Sequence, residues 1–154
     1  MIQIKPATTK NIKKIQELNH TIMYKNDEYD DDIAMNFDLT EAGYKFFKKA
    51  LTNKNGCFFI AYDGKKMVGY ANGGAKEYSY RNKRYFEIEN IGVIPNYKRK
   101  GIGKRLLQKI LDWTKSRNFE RIHLNCYIKN QEALKFYRKL GFKEIDVSLE
   151  IDLE

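Results

Sequence analysis

The stretch Val93-Ile94-Pro95-Asn96-Tyr97-Lys98-Arg99-Lys100-Gly101-Ile102-Gly103-Lys104-Arg105-Leu106-Leu107 decides how the rest of the chain reads. Before it, Tyr85 to Ile94 is rich in β-branched and aromatic residues and stops at Pro95. After it, Leu106, Leu107, Ile110, Leu111 and Trp113 recur at helical spacing. A glycine-containing basic loop thus joins a strand to a helix. The first N–H groups of a helix lack intrahelical acceptors, and the helix dipole is positive there. An anion is favoured at such a junction, and glycine lets a ligand approach the main chain. Lys98, Arg99, Lys100, Lys104 and Arg105 add charge. Read alone, the fragment fits either a phosphate cradle or a glycine-assisted turn with a solvated basic face. Two common nucleotide loops are excluded by spacing. A P-loop needs four residues between its glycines and a Ser or Thr after the lysine; here Ile102 alone separates Gly101 from Gly103, and Arg105 follows Lys104. A dinucleotide-binding turn needs a third glycine where Leu106 stands.

Working outward, Ile2 and Ile4 alternate with polar residues up to Pro6, which predicts a short strand. Ile12, Ile15, Leu18, Ile22 and Met23 predict a helix over 9–23. Asp38 with Glu41 reads as an N-cap and its return partner, opening a second helix that runs to Leu51. Cys57 to Tyr62 is a compact apolar strand, Asp63-Gly64 a hairpin turn, and Met67 to Ala71 the start of the return strand. Arg121 to Cys126 reads as a strand. Asn130 caps a helix that Gly141 stops, and Phe142 to Leu153 alternates as a last strand or strand pair. The order predicts one α/β domain over 1–154. It has a mixed, mostly antiparallel sheet of about six to seven strands, with helices on both faces.

Composition bounds the function. Of 154 residues, 42% are apolar, which is enough for a core and argues against global disorder. No apolar run approaches the roughly 18 residues of a membrane span, and MIQIKPATTK lacks a secretory signal, so a cytoplasmic protein with no membrane partner is expected. Cys57 and Cys126 lie in apolar runs and do not make a disulfide framework. The net charge of +9 suits nucleic acid, a phosphate-bearing small ligand, or simply a lysine-rich surface. No nucleic-acid-binding motif accompanies it, so nucleic acid is the disfavoured partner. Two histidines and two separated cysteines offer no zinc spacing, so no metal is expected.

The quoted stretch resembles the pyrophosphate-binding segment of the GNAT superfamily, the acetyl-CoA-dependent N-acetyltransferases. A second block, Asn130 through Phe142 (NQEALKFYRKLGF), is similar to that family's other signature, in the family's order and at its usual separation. One departure is Lys98, where the family usually has Arg or Gln. The resemblance implies acetyl-CoA as co-substrate, held by Lys98, Arg99, Lys100, Gly101, Ile102, Gly103 and Lys104, mainly through main-chain amides, with a contact from Asn130. It implies Tyr137 near the CoA sulfur as general acid. It also implies a splayed or bulged fourth strand at Asn90 to Val93, where Ile91, Gly92 and Val93 line the cofactor and a main-chain N–H holds the oxyanion.

For a base, Glu87 and Glu89 stand two residues apart in an otherwise apolar strand, on one face with Ile91 and Val93 by period-two geometry. Partial burial would raise a carboxylate toward a useful pKa, and an ordered water is the alternative base. A His123–Cys126 dyad is rejected, because an odd separation on a strand points the two side chains apart. The acidic run around Tyr29, with Asp30, Asp31 and Asp32, suits a cationic amine on a small molecule or a protein, or else is a solvated loop. A catalytically silent acyl-CoA-binding regulator of the same fold is the competing function. Oligomeric state is left open, with a homodimer admitted.

Overall fold

The computed structural model describes all residues 1–154. Its strands are β1 (Ile2–Pro6), β2 (Gly56–Asp63), β3 (Lys66–Lys76), β4 (Tyr85–Val93) and β5 (Arg121–His123); its helices are α1 (Ile12–Ile22), α2 (Glu41–Thr52), α3 (Ile102–Ser116) and α4 (Gln131–Lys139). The strands form one sheet in chain order. Neighbours from β1 to β4 are antiparallel, and β4–β5 is parallel. The β2–β3 connection is a tight hairpin closed by Asp63 opposite Lys66, with Gly64 at φ +57°. Glycine reaches that left-handed backbone without a Cβ penalty.

Helices cover both faces, because the inner strands are apolar on both sides. On one face Tyr70 of β3 stacks on Phe58 of β2 at 5.2 Å and meets Phe47 of α2 edge-on at 6.3 Å. On the other, Phe86 of β4 packs against Trp113 of α3 and against Phe119, with ring centroids 5.6 and 5.3 Å away. Ile102, Leu106, Leu107 and Ile110 put the apolar stripe of α3 into the same fully buried cluster. Cys57 lies in that core too, and burial pushes its thiol up to about 12, so it stays a protonated small hydrophobe.

Three local expectations need correction. Thr40, not Asp38, caps α2: its hydroxyl accepts from the Gly43 N–H at 3.2 Å. Asp38 is buried instead and accepts from Asn19 Nδ2 at 3.0 Å, while Asn19 Oδ1 accepts from the Tyr70 hydroxyl. A carboxylate in that position ties α1 and the chain before α2 to β3, a use that outranks capping. Second, β5 ends at His123 rather than Cys126. Third, residues 143–154 form no strand despite their alternation, so the sheet has five strands rather than six or seven. A strand needs partners for its main-chain groups, and no backbone hydrogen bond joins this segment to the rest of the chain.

The packing makes a stability prediction. Leu106→Ala opens a cavity between α3 and the sheet and is expected to cost about 2–5 kcal/mol. Urea unfolding checks it; a midpoint equal to the parent's would contradict the packing.

Candidate active site

The loop between β4 and α3 is built to expose its main chain. Arg99 and Gly101 both take left-handed backbone, at φ +61° and +77°. From Arg99 to Lys104 no main-chain N–H donates to an acceptor within the chain; the next, Arg105, donates to Gly101 O at 3.1 Å. These successive donors stand at the positive end of α3, beside the exposed side chains of Lys98, Arg99, Lys100 and Lys104. Arg105 does not join them: its guanidinium reaches back to Ile2 O at 3.0 Å. Ile102 contributes only its main chain, since its side chain is buried in the core. Tyr97 anchors the loop. Its hydroxyl donates to Asp63 Oδ2 at 2.8 Å, and Lys66 and Lys100 lie over its ring. That hydrogen bond is the main cause holding the Asp63 carboxyl below its ordinary pKa.

The strand leading into the loop is irregular. Asn72 pairs with Asn90 and Gly73 with Ile88, so Glu89 is an extra residue on β4, a β-bulge. The bulge slips the alternation by one. Glu87 lies on the face opposite Phe86; beyond the bulge that face is continued by Gly92, where a Cβ would come within 2.3 Å of Ile22 Cγ2 on α1. Ile91 and Val93 therefore do not share a face with Glu87, which corrects the period-two reading. Pairing with β5 also stops early, at Glu87 opposite His123. From Ile88 onward β4 has no strand on that side, and this open edge leads directly to the loop of free N–H groups.

Both sequence-nominated carboxylates border this opening. Asn72 Nδ2 donates to Glu89 Oε2 at 3.0 Å, and Asn90 Nδ2 donates to Asn72 Oδ1 at 3.3 Å. Burial around the carboxylate raises the Glu89 pKa, and the charge of Glu87 adds to this; the Asn72 hydrogen bond, Lys49 and Lys76 oppose it. Glu87 Oε2 lies 3.3 Å from His123 Nδ1, and Tyr78 meets the imidazole edge-on. The contact is close but not aligned as a hydrogen bond. Sequence reading missed His123 and Asn72 as neighbours of the carboxylates. Parallel β4–β5 register sets the first and antiparallel β3–β4 register the second; neither register is visible in a single strand.

The second sequence block lies beside the loop. Asn130 caps α4, accepting from the Ala133 N–H at 3.2 Å. Phe136 reaches to 3.6 Å from where a Cβ on Gly103 would stand, so glycine there lets α4 approach α3. Tyr137 is half-buried between Phe136 and Phe142. Burial, then the nearby Cys126 thiol, pushes its phenol well above the usual range. The acidic segment reaches the chain that follows β5: Tyr127 donates to Asp30 Oδ2 at 3.0 Å, and Tyr29 stacks on Tyr127 at 6.2 Å. Asp30 Oδ1 accepts from the Asp32 N–H, while the side chains of Asp31 and Asp32 are exposed.

Comparison with known proteins agrees with this geometry. The profile described as the Acetyltransferase (GNAT) family matches residues 13–142. An N-alpha-acetyltransferase of Sulfurisphaera tokodaii is 32% identical over 112 residues, covering 68% of this chain and 66% of that protein. The chain spans from about a quarter to two thirds of the length of the curated relatives it first matches. Among solved structures, an aminoglycoside antibiotic 6'-N-acetyltransferase of Acinetobacter baumannii superposes with a TM-score of 0.77 at 17% identity, covering 100% of this chain and 99% of the other. An aminoglycoside N-acetyltransferase in complex with CoA superposes with a TM-score of 0.76 at 15% identity, covering 99% and 95%. The strand-to-helix loop, the opened β4 edge and a match across most of the chain place this protein in the GNAT acetyltransferase family.

Proposed function

We propose that this chain is an N-acetyltransferase that moves an acetyl group from acetyl-CoA to a primary amine by direct attack in a ternary complex. The observation that carries the reading is the continuity of two features. The free N–H groups from Arg99 to Lys104 suit a pyrophosphate, and the unpaired edge of β4 beyond Glu87 suits an extended arm leading away from it. The reported CoA complex of a structural neighbour supports the choice of ligand.

Acetyl-CoA, as donor, supplies the activated thioester. The chain's own groups do the rest. Main-chain N–H groups of the bulged strand at Asn90 to Val93, with Ile91, Gly92 and Val93, hold the arm and face negative charge developing on the carbonyl oxygen. Glu89, with its raised pKa, takes a proton from the bound acceptor ammonium directly or through one water, so that the neutral amine attacks the thioester carbonyl; Glu87, beside His123, is the second candidate. Tyr137 keeps its proton at neutral pH and donates it to the departing sulfur. Tyr29, Asp30, Asp31 and Asp32 receive the cationic acceptor. The amine belongs to a small molecule or a protein terminus, classes named for relatives and neighbours. No helix is long and apolar enough to cross a membrane, and no cluster of His, Cys, Asp and Glu could hold a metal ion.

Thiol release from acetyl-CoA over polyamines, aminoglycosides, amino acids and basic peptides tests the activity. Acetyl-CoA binding without release on any amine would favour the silent regulator. Tyr137→Phe is expected to lower kcat by about 10²-fold at unchanged acetyl-CoA affinity. Glu89 must be ionised to act and its pKa is raised. Activity should therefore fall as pH drops through that pKa, and Glu89→Gln should lower kcat and flatten this limb. Full kcat in both variants would overturn the assignments. Neutralising Asp30, Asp31 and Asp32 together to Asn should raise the acceptor KM roughly tenfold, one 1.4 kcal/mol step, and leave the acetyl-CoA KM nearly unchanged.

A further inference from the structure

His123 Nδ1 is the one buried side-chain polar atom of this protein that has no hydrogen-bond partner. Such atoms are rare in folded proteins, because an unpaired buried group keeps its full desolvation cost. The nitrogen faces Glu87. The carboxylate Oε2 lies 3.3 Å away, and the two side chains are only 13% and 24% exposed. Glu87 has no other partner of opposite charge: no lysine or arginine pairs with it. A base and an acid thus stand at contact distance on the border of the opening, without a settled bond between them.

The surroundings leave this pair to itself. Tyr78, from the connection between β3 and β4, meets the imidazole edge-on at 6.1 Å. Burial, and then the charge of Glu87, raise its phenol, so Tyr78 holds its own proton and is no rival acceptor. Two cations stand close and are turned away. Arg81 lies over the Tyr78 ring at 4.9 Å and donates to the Tyr85 hydroxyl at 2.8 Å. Arg121, on the same strand as His123, donates to that hydroxyl at 3.2 Å. The two ring nitrogens of His123 differ. Nδ1 is sealed toward Glu87, whereas Nε2, which makes no hydrogen bond either, is not sealed. One nitrogen therefore looks into the site and the other out of it, and no hydrogen bond holds the ring.

Acetyl transfer needs an outlet for protons. A nitrogen that enters as an ammonium and leaves as an amide sheds two of them in each turnover. One leaves before attack, to Glu89; the other leaves the tetrahedral adduct as it collapses. We infer that Glu87 takes this second proton and that His123 carries it from Glu87 to solvent. The inference rests on the acetyl-transfer reading given above. In the adduct an N–H bond breaks and Oε2–H forms on Glu87. Oε2–H then breaks and Nδ1–H forms, which makes His123 an imidazolium and restores the carboxylate. The imidazolium loses its Nε2 proton to water. A half-turn about Cβ–Cγ brings Nδ1–H to solvent, where exchange restores the starting tautomer. Two protons reach solvent and one returns to Tyr137 after it protonates the thiolate, so one is released in net. His123 touches Glu87 and not the substrate, and is a positioning residue in this scheme.

The test uses the full chain, acetyl-CoA and the best amine of the panel, with acetylated amine as the readout. His123→Gln is expected to lower kcat by about 10²-fold and to leave both KM values near the parent's. Glu87→Gln should lower kcat to a similar degree. Adding His123→Gln to Glu87→Gln should cost nothing further, because both changes break one path. Imidazole in the buffer should restore kcat to His123→Gln and not to Glu87→Gln, a rescue that a side chain missed only for its packing does not show. Far-UV circular dichroism checks the fold, and His123→Asn replaces His123→Gln if that variant does not fold. Full kcat in either single variant, additive losses in the double variant, or a loss in His123→Gln that imidazole does not relieve overturns the relay and leaves acetyl transfer standing. A parent chain that acetylates no amine overturns the underlying reading, and the relay with it.

Discussion

If β4 and β5 paired along their whole length, the sheet would be continuous and nothing could enter between them. The structure prevents this at Glu89. One residue too many on β4 against β3 bends the strand, and the parallel pairing with β5 ends at Glu87 and His123. The remainder of the site follows from that bend. It frees the edge of β4, turns Gly92 toward α1, and lets Glu89 meet Asn72, while the last β4–β5 pair sets Glu87 beside His123. A bulge is sustained only when its surroundings over-determine it. Here the Asn90–Asn72–Glu89 hydrogen bonds and the close packing of Gly92 on Ile22 do so.

The electrostatics divide along the same line. On one side, the main chain from Arg99 to Lys104 offers unpaired donors, backed by lysine and arginine side chains. On the other, Tyr29 and Asp30 are docked on Tyr127, in the chain that follows β5. The two sets of groups are thus of opposite sign: main-chain donors and cationic side chains at the loop, carboxylates on the segment that docks on Tyr127. The loop's unpaired donors are main-chain groups, set by the backbone rather than by any single side chain.

Much of this was legible in the chain. Pro95, the paired glycines and the helical repeat from Leu106 bracket the loop, because backbone conformation at proline and glycine is a local property. Asn130 and Gly141 bound α4 for the same reason. Three misreadings share another cause. Asp38 was expected to cap a helix, Ile91 and Val93 to share a face with Glu87, and residues 142–153 to pair within the chain. Each depends on what a distant segment does: Asn19 claims Asp38, β3 imposes the bulge, and β5 offers its edge to no strand of its own chain.

The α/β class, the basic glycine-containing loop between a strand and a helix, and the residue types available for acid–base work could be read from the chain alone, since these follow from local propensity, period and the chemistry of side chains in order. Only the tertiary structure decided which of those residues meet. It put His123 beside Glu87, Asn72 beside Glu89 and Tyr127 beside Asp30, and it turned Arg105 away from the loop that its position in the chain assigned to it. Strand register and bulges arise from pairing between segments far apart in the chain, and no single segment encodes its partner's alignment.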